Sequence, residues 1–160
     1  MIVLGEQVTP DDQDFIAALE AEQLPIDDLG ENGRLFFRFT QNGTPVGFGG
    51  FEALGEHVLL RSIVVFPQFR GQGIGHLIVE SLLEHAASLG AKNAYLLTTS
   101  AADFFEAIGF KQIGRDGVPP EILSTRQASS LCPSTATFLT RPVSNRAAIP
   151  QASSTTEIIR

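Results

Sequence analysis

Blocks of apolar residues change their spacing along this chain, and each change marks an element. Residues 10–24, PDDQDFIAALEAEQL, read as an amphipathic helix with Thr9 or Asp11 as its cap and Pro25 as its end. Acids in its first turn suit the helix dipole. Residues 34–41, RLFFRFTQ, and 45–54, PVGFGGFEAL, are strand-like and flank Asn42-Gly43, a strong hairpin signal. Residues 57–66, HVLLRSIVVF, hold too many consecutive apolar residues for a half-exposed strand. They predict a central strand buried on both faces, interrupted by Arg61-Ser62 and closed by Pro67. After the glycine-rich turn RGQGIG (70–75), Ile74, Leu77, Ile78, Leu82, Ala86 and Leu89 follow the spacing of one buried helical face, and Gly90 stops it.

Residues 94–100 predict another buried strand, 101–108 a short helix ended by Gly109, and 110–114 a further strand. Pro119-Pro120 start a turn or short helix through Leu131, and 135–141 form a last strand. From Pro142 the chain is poor in large apolar groups and rich in Ser, Thr and Ala, which predicts a poorly packed tail over 142–160. The order gives an α/β layout with a mixed sheet, antiparallel in the hairpin and parallel, with a right-handed crossover, in the strand–helix–strand unit. At 160 residues the chain suits one domain, over 1–141, and it contains no internal repeats.

Charge narrows the function classes. Eighteen acids against eleven bases give a net charge of −7, which argues against a nucleic-acid surface. Nine of the acids lie in residues 1–31, a stretch without Lys or Arg, and read first as a solvated face. One cysteine, Cys132, excludes a disulfide framework and a Cys-rich zinc site; before Pro133 it reads as a small buried group. No run reaches the ~20 apolar residues of a membrane span, and the first residues lack a signal pattern. A cytoplasmic protein without metal, nucleic-acid or membrane partners is expected.

The glycine turn carries the clearest chemistry. Arg70-Gly71-Gln72-Gly73-Ile74-Gly75 leads from a strand into a helix whose first amides converge on one electropositive place. Glycines remove side chains that would hold a phosphate away, so a pyrophosphate fits without a lysine cluster. The third glycine of a dinucleotide fingerprint would fall at His76, and no Gly-Lys-Ser/Thr follows, so both familiar nucleotide loops fail. A tight structural turn is the plain alternative.

The string Val65-Phe66-Pro67-Gln-Phe-Arg70-Gly71-Gln72-Gly73-Ile74-Gly75 resembles the acyl-CoA pyrophosphate loop of the GNAT acetyltransferases, Gln/Arg-x-x-Gly-x-Gly/Ala. Downstream, Ala101-x-x-Phe104-Phe105-x-x-Ile108-Gly109-Phe110 resembles the helix and Gly-Phe that close that fold. The resemblance spans residues 1–115 and implies a mostly antiparallel central sheet with a splayed parallel strand pair and flanking helices. In the C-terminal third, Arg115-x-x-Val118-Pro119-x-x-Ile122-x-x-Thr125 and Leu131-Cys132-Pro133 resemble the subgroup associated with arsenic-resistance gene clusters. Ala128 stands where that subgroup carries an aromatic, and Leu139 replaces its Met. Leu60-Arg61-Ser62, with Arg115 and Pro119, is similar to short-form N-acetylglutamate synthase.

What the resemblance implies can be placed on these residues. Acetyl-CoA would insert where two parallel strands splay, its pantetheine arm paired with the backbone of Ile63, Val64 and Val65. Its pyrophosphate would rest on Arg70, Gly71, Gln72, Gly73, Ile74 and Gly75, and Phe105 would contribute to the same site. A strand amide near Val64 would strengthen its bond as oxyanion character develops, and the site would act by aligning a neutral amine with the thioester. For the amine's proton, Glu52, Glu56 and His57 are candidates, with Glu52 preferred and a surface carboxylate as the plain alternative. Phe105 stands where the family often has a proton-donating Tyr; Ser100 is the expected substitute, since Tyr95, the one tyrosine, lies early in the preceding strand.

Arg61, inside an apolar strand, requires an anion. The anion is either a structural partner or a substrate carboxylate. If Arg115 converges with it, their planar forks suit a glutamate-like acceptor. His76 and Glu80 read as a solvated i, i+4 pair. The resulting expectation is a GNAT-type N-acetyltransferase acting on a small, carboxylate-bearing amine by direct transfer. Its rivals are an N-acetylglutamate synthase-like enzyme, a non-catalytic acyl-CoA sensor and a protein acetyltransferase. Dimers are common among the proteins it resembles, so a homodimer is a further expectation.

Overall fold

The computed structural model describes residues 2–131 and 135–144. Seven strands form one sheet: β1 (Leu4–Val8), β2 (Arg34–Gln41), β3 (Thr44–Leu54), β4 (His57–Val65), β5 (Asn93–Thr98), β6 (Lys111–Ile113) and β7 (Thr137–Pro142). Their order is β1-β2-β3-β4-β5-β7-β6, and among these pairings β4 with β5 is parallel while the others are antiparallel. The helices are α1 (Gln13–Ala21), α2 (Ile74–Ser88), α3 (Ala102–Ala107) and α4 (Pro120–Leu123), followed by a π-helical turn, Gln127–Leu131. The expected mixed sheet is present, and the Asn42-Gly43 turn joins β2 to β3 with both residues at positive φ.

Two layers of side chains sandwich the sheet. On one face α2 and α3 bury Ile78, Leu82, Ala86 and Phe105 against Phe37, Phe51, Leu60 and Leu96. On the other, α1 packs Phe15 and Leu19 on Phe36, Phe48 and Val64, and α4 with the π turn packs Ile122 and Ala128 on Leu59, Tyr95 and Phe138. Alternation along each strand sends neighbouring residues to opposite layers.

Three local differences from the sequence reading have physical causes. β1 was not expected: it is an edge strand with four of its five residues exposed, so no apolar alternation announces it. Helix α1 is shorter than 10–24 because Asp12 is the cap, its carboxylate accepting from Phe15 N at 2.9 Å. The last strand extends to Pro142, and Val143 beyond it is buried in the α2-side core. Cys132, Pro133 and residues 145–160, most of the expected tail, lie outside the described residues.

A bulge in β4 shapes the centre. Phe48 faces Val64 and Gly50 faces Arg61, so Gly49 opposes both Ser62 and Ile63. Ser62 takes up the extra residue at φ 59°, a left-handed conformation costly for a side chain. The bulge reverses the alternation, turning Val64 towards α1 and Ile63 and Val65 towards α2.

Candidate functional site

β4 and β5 pair over only three positions, His57–Asn93, Val58–Ala94 and Leu59–Tyr95. Beyond Leu59 and Tyr95 the strands diverge, while β3 continues to hold β4 and β7 continues to hold β5. A cavity of about 590 Å³ occupies the divergence. Its walls are Leu60 to Val65 on one strand and Leu96 to Thr98 on the other. It also reaches Ile74, Phe104 and Phe105 on the α2 face and Leu24, Pro25 and Gln127 on the α1 face. The cavity therefore passes through the sheet.

The glycine turn closes one end. Gly71 and Gly73 have φ of 80° and 81°, and Gly73 immediately precedes α2 with no side chain capping the helix. The first amides of α2 are thus left for an anion. A β-carbon on Gly75 would stand 2.9 Å from Phe104 Cζ, so glycine lets α3 approach α2. Arg70 fastens the loop: its Nε donates to Val65 O at 2.9 Å and its Nη2 lies 3.0 Å from Glu22 Oε2. Of the expected cofactor residues, Ile63, Val64, Val65, Arg70, Gly71, Gly73, Ile74, Gly75 and Phe105 line the cavity; Gln72 is exposed and does not.

Arg61 lines the cavity, but its charge is already answered. Its Nη1 and Nη2 donate to the two Asp28 oxygens at 2.6 and 2.7 Å, and Arg34 Nη2 adds a bond to Asp28 at 3.0 Å. Asp28 is 0% exposed and Arg61 3%. Burial works to raise the Asp28 pKa, but the hydrogen bonds and charges of Arg61 and Arg34 outweigh it and hold the carboxyl below its ordinary range. The anion that Arg61 needs is thus a residue of the chain. Arg115 does not join it: exposed and absent from the lining, it lies over the Phe138 ring at 5.0 Å.

Glu52 belongs to the same cluster. It is 4% exposed and does not line the cavity. Its Oε1 lies 3.3 Å from Arg34 and its Oε2 3.8 Å from Arg61. Burial pushes its pKa up, and the two arginines offset this only in part. β3 alternation turns Glu52 to the Asp28–Arg34–Arg61 group, beside the cavity-lining Arg61 and outside the lining itself. Glu56 and His57, the other candidates, are absent from the lining as well.

Ser100 is exposed and lines the cavity, two residues after Thr98, whose Oγ1 accepts from Ala101 N at 2.9 Å. Tyr95 is buried beside His57, with ring centroids 5.6 Å apart, and does not reach the lining. His76 and Glu80 are 3.4 Å apart as a half-exposed pair, but Glu80 also receives a 3.1 Å bond from buried Arg141. Two lining residues had no sequence signal: Glu22, read as solvated, and Gln127, in no motif. Among the described residues no group of His, Cys, Asp and Glu could hold a metal, and no helix is long and apolar enough to cross a membrane.

Residues 6–110 match the model of the acetyltransferase (GNAT) family. The peptidyl-lysine N-acetyltransferase YjaB of Salmonella typhimurium is 37% identical over 99 residues, covering 62% of this chain and 64% of that protein. The amino-acid acetyltransferase of Mycobacterium tuberculosis is 35% identical over 81 residues, 50% of this chain and 46% of the relative. The chain thus spans less than two thirds of the length of these curated relatives. Among solved structures, N-acetylglutamate synthase of Neisseria gonorrhoeae complexed with coenzyme A and N-acetyl-glutamate superposes with a TM-score of 0.71 at 16% identity. That superposition covers 90% of this chain and 36% of the other.

Proposed function

Because this chain belongs to the GNAT acetyltransferase family, we propose that it transfers the acetyl group of acetyl-CoA directly to the primary amine of a small, amino-acid-type acceptor. The observation that carries this reading is the cavity crossing the sheet where β4 and β5 part. It joins the anion-ready turn on one face to a separate compartment beside Leu24, Pro25, Arg61 and Gln127 on the other. A thioester in the gap meets an amine from the opposite side, the alignment that direct transfer needs.

In this reading the amides of Arg70 to Gly75 take the pyrophosphate, and the free backbone edge of Ile63 to Val65 takes the pantetheine arm. A β4 amide near Val64 stabilises the carbonyl oxygen as charge develops on it. The amine nitrogen bonds to the acetyl carbon as the carbon–sulfur bond breaks, and the departing thiolate takes a proton by way of Ser100. Phe105 supplies an apolar wall and no proton. The amine reaches the cavity in its neutral form or loses its proton to water, since Glu52 is not in the cavity lining.

The amino-acid preference is supported by the C-terminal motif around Arg115, Val118, Pro119 and Ile122, which resembles that of the arsenic-linked subgroup, and by the activity named for the Mycobacterium relative. With Arg61 turned to Asp28, a two-arginine grip on the acceptor carboxylate is not part of it. A second reading, transfer to peptide lysines, draws on the Salmonella relative and on the acids of residues 1–31.

The test is thiol release from acetyl-CoA with glutamate, phosphinothricin, spermidine, kanamycin and a basic peptide as acceptors. Turnover confined to glutamate and phosphinothricin is expected. Turnover of the peptide alone would establish the second reading, and silence with acetyl-CoA still protecting against heat would leave an acyl-CoA sensor.

A further inference from the structure

Among the described residues, four side chains carry a buried polar atom with no hydrogen-bond partner: Gln41, Glu52, His57 and Gln127. Of these four, Gln127 lines the cavity. It is 5% exposed, and the unpartnered atom is its carbonyl oxygen, Oε1. Native proteins rarely leave such an oxygen without a donor, because burial removes the water it would otherwise bind.

The backbone around Gln127 is fixed. Thr125 Oγ1 donates to Ile122 O at 2.7 Å and accepts from Ala128 N at 3.2 Å, while Ser129 N donates to Thr125 O at 2.9 Å. Arg126 pairs with Glu31 across the gap to the segment that carries Asp28. The residue also opens a π-helical turn, a conformation that occurs disproportionately at functional sites. Its neighbour Ala128 packs with Leu59 and Tyr95, the last parallel pair before the strands diverge. Gln127 therefore stands at the apex of the cavity, on the face opposite the glycine turn.

Among the described residues nothing beside it satisfies the oxygen. Leu24, Pro25 and Leu97 offer apolar surface on this face of the cavity, and the Arg61 fork is turned to Asp28. What the Gln127 oxygen lacks is a donor within reach, and an acceptor amine brings one. We propose that Gln127 Oε1 accepts a hydrogen bond from the acceptor's reacting amine and so aims its lone pair at the acetyl carbonyl. The inference rests on the acetyltransferase reading and assigns that site its amine-orienting residue.

The test compares the unmodified chain with Gln127→Leu and Gln127→Asn, titrating each of the five acceptors above at saturating acetyl-CoA, with melting temperatures measured in parallel. Gln127→Leu should lower kcat/KM for the acceptor roughly 10-fold or more, as expected for one lost hydrogen bond to a polar partner. Its KM for acetyl-CoA should be unchanged and its melting temperature no lower, because the substitution removes an unsatisfied oxygen. Gln127→Asn, too short to reach, should lose acceptor kcat/KM in the same way. Acceptor kcat/KM within twofold of the unmodified chain in Gln127→Leu overturns this proposal alone. So does a melting temperature several degrees lower accompanied by weaker acetyl-CoA binding, which would make Gln127 a packing residue. Silence of the unmodified chain on all five acceptors overturns the acetyltransferase reading and this proposal with it.

Discussion

Asp28 stands in an acid-rich stretch that reads as solvated surface, yet it is the hub of the interior. Both of its oxygens are engaged by Arg61, and Arg34 shares one of them. Removing one partner of such a group leaves uncompensated buried charge, so Asp28→Asn should cost about 3–5 kcal/mol in urea unfolding at pH 7. The pH dependence follows from the direction of each shift. Asp28 is held below its ordinary pKa, so its contribution is full above the unfolded carboxyl value and is lost as pH falls through the depressed folded value. Glu52 is shifted upward, so its contribution is present below its unfolded value and is lost as pH rises through the raised one. Asp28→Asn should flatten the acid limb of the stability profile, and Glu52→Gln should flatten the weaker fall above the ordinary glutamate range. Arg61 in an apolar strand shows in the sequence that an anion is near. It does not show which one, because Asp28 lies 33 residues away and is one of nine acids in its segment.

At the scale of elements, glycine decides where backbones and helices can approach. Gly73 sits left-handed at the start of α2 with open space around its missing β-carbon, so Ala there meets conformational strain and no clash. Gly73→Ala should cost about 1–2 kcal/mol of stability. Because the strain falls on the turn itself, its dissociation constant for acetyl-CoA should rise several-fold, measured by calorimetry. In β3 the constraint is contact: a β-carbon on Gly47 would fall 2.1 Å from Val64 O, and one on Gly49 3.0 Å from Leu82. These glycines bring α2 and the bulged part of β4 against β3. The turn, α2 and the central strands were legible because their periodicity and punctuation are local. β1 was not, since an exposed edge strand is stabilised by the ladder it completes with β2 and not by a pattern of its own.

For the whole molecule, the parting of β4 from β5 turns a sheet that would be a barrier into a passage. A ligand that fills it ties together strands held on their other sides by β3 and β7. At one hundred times its dissociation constant, acetyl-CoA should therefore add about 2.7 kcal/mol to stability, read as a rise of several degrees in melting temperature that Gly73→Ala reduces at the same concentration. The glycine-turn side of the passage was legible because one continuous segment, residues 63–75, builds most of it. The opposite side was not, because Leu24, Arg61 and Gln127 meet only in the fold.

The anchoring of residues 1–31 has a consequence for the order in which the molecule can be completed. The ion-paired acids of that segment take cations encoded later: Asp12 takes Arg38, Asp28 takes Arg34 and Arg61, Glu22 takes Arg70, and Glu31 takes Arg126. The partners of opposite sign therefore all lie further along the chain than the acids they neutralise, and the widest tie, Glu31 to Arg126, needs every residue between them before it can close. The wall that would face the acceptor is thus completed by a residue, Gln127, that follows the whole of the glycine turn in sequence.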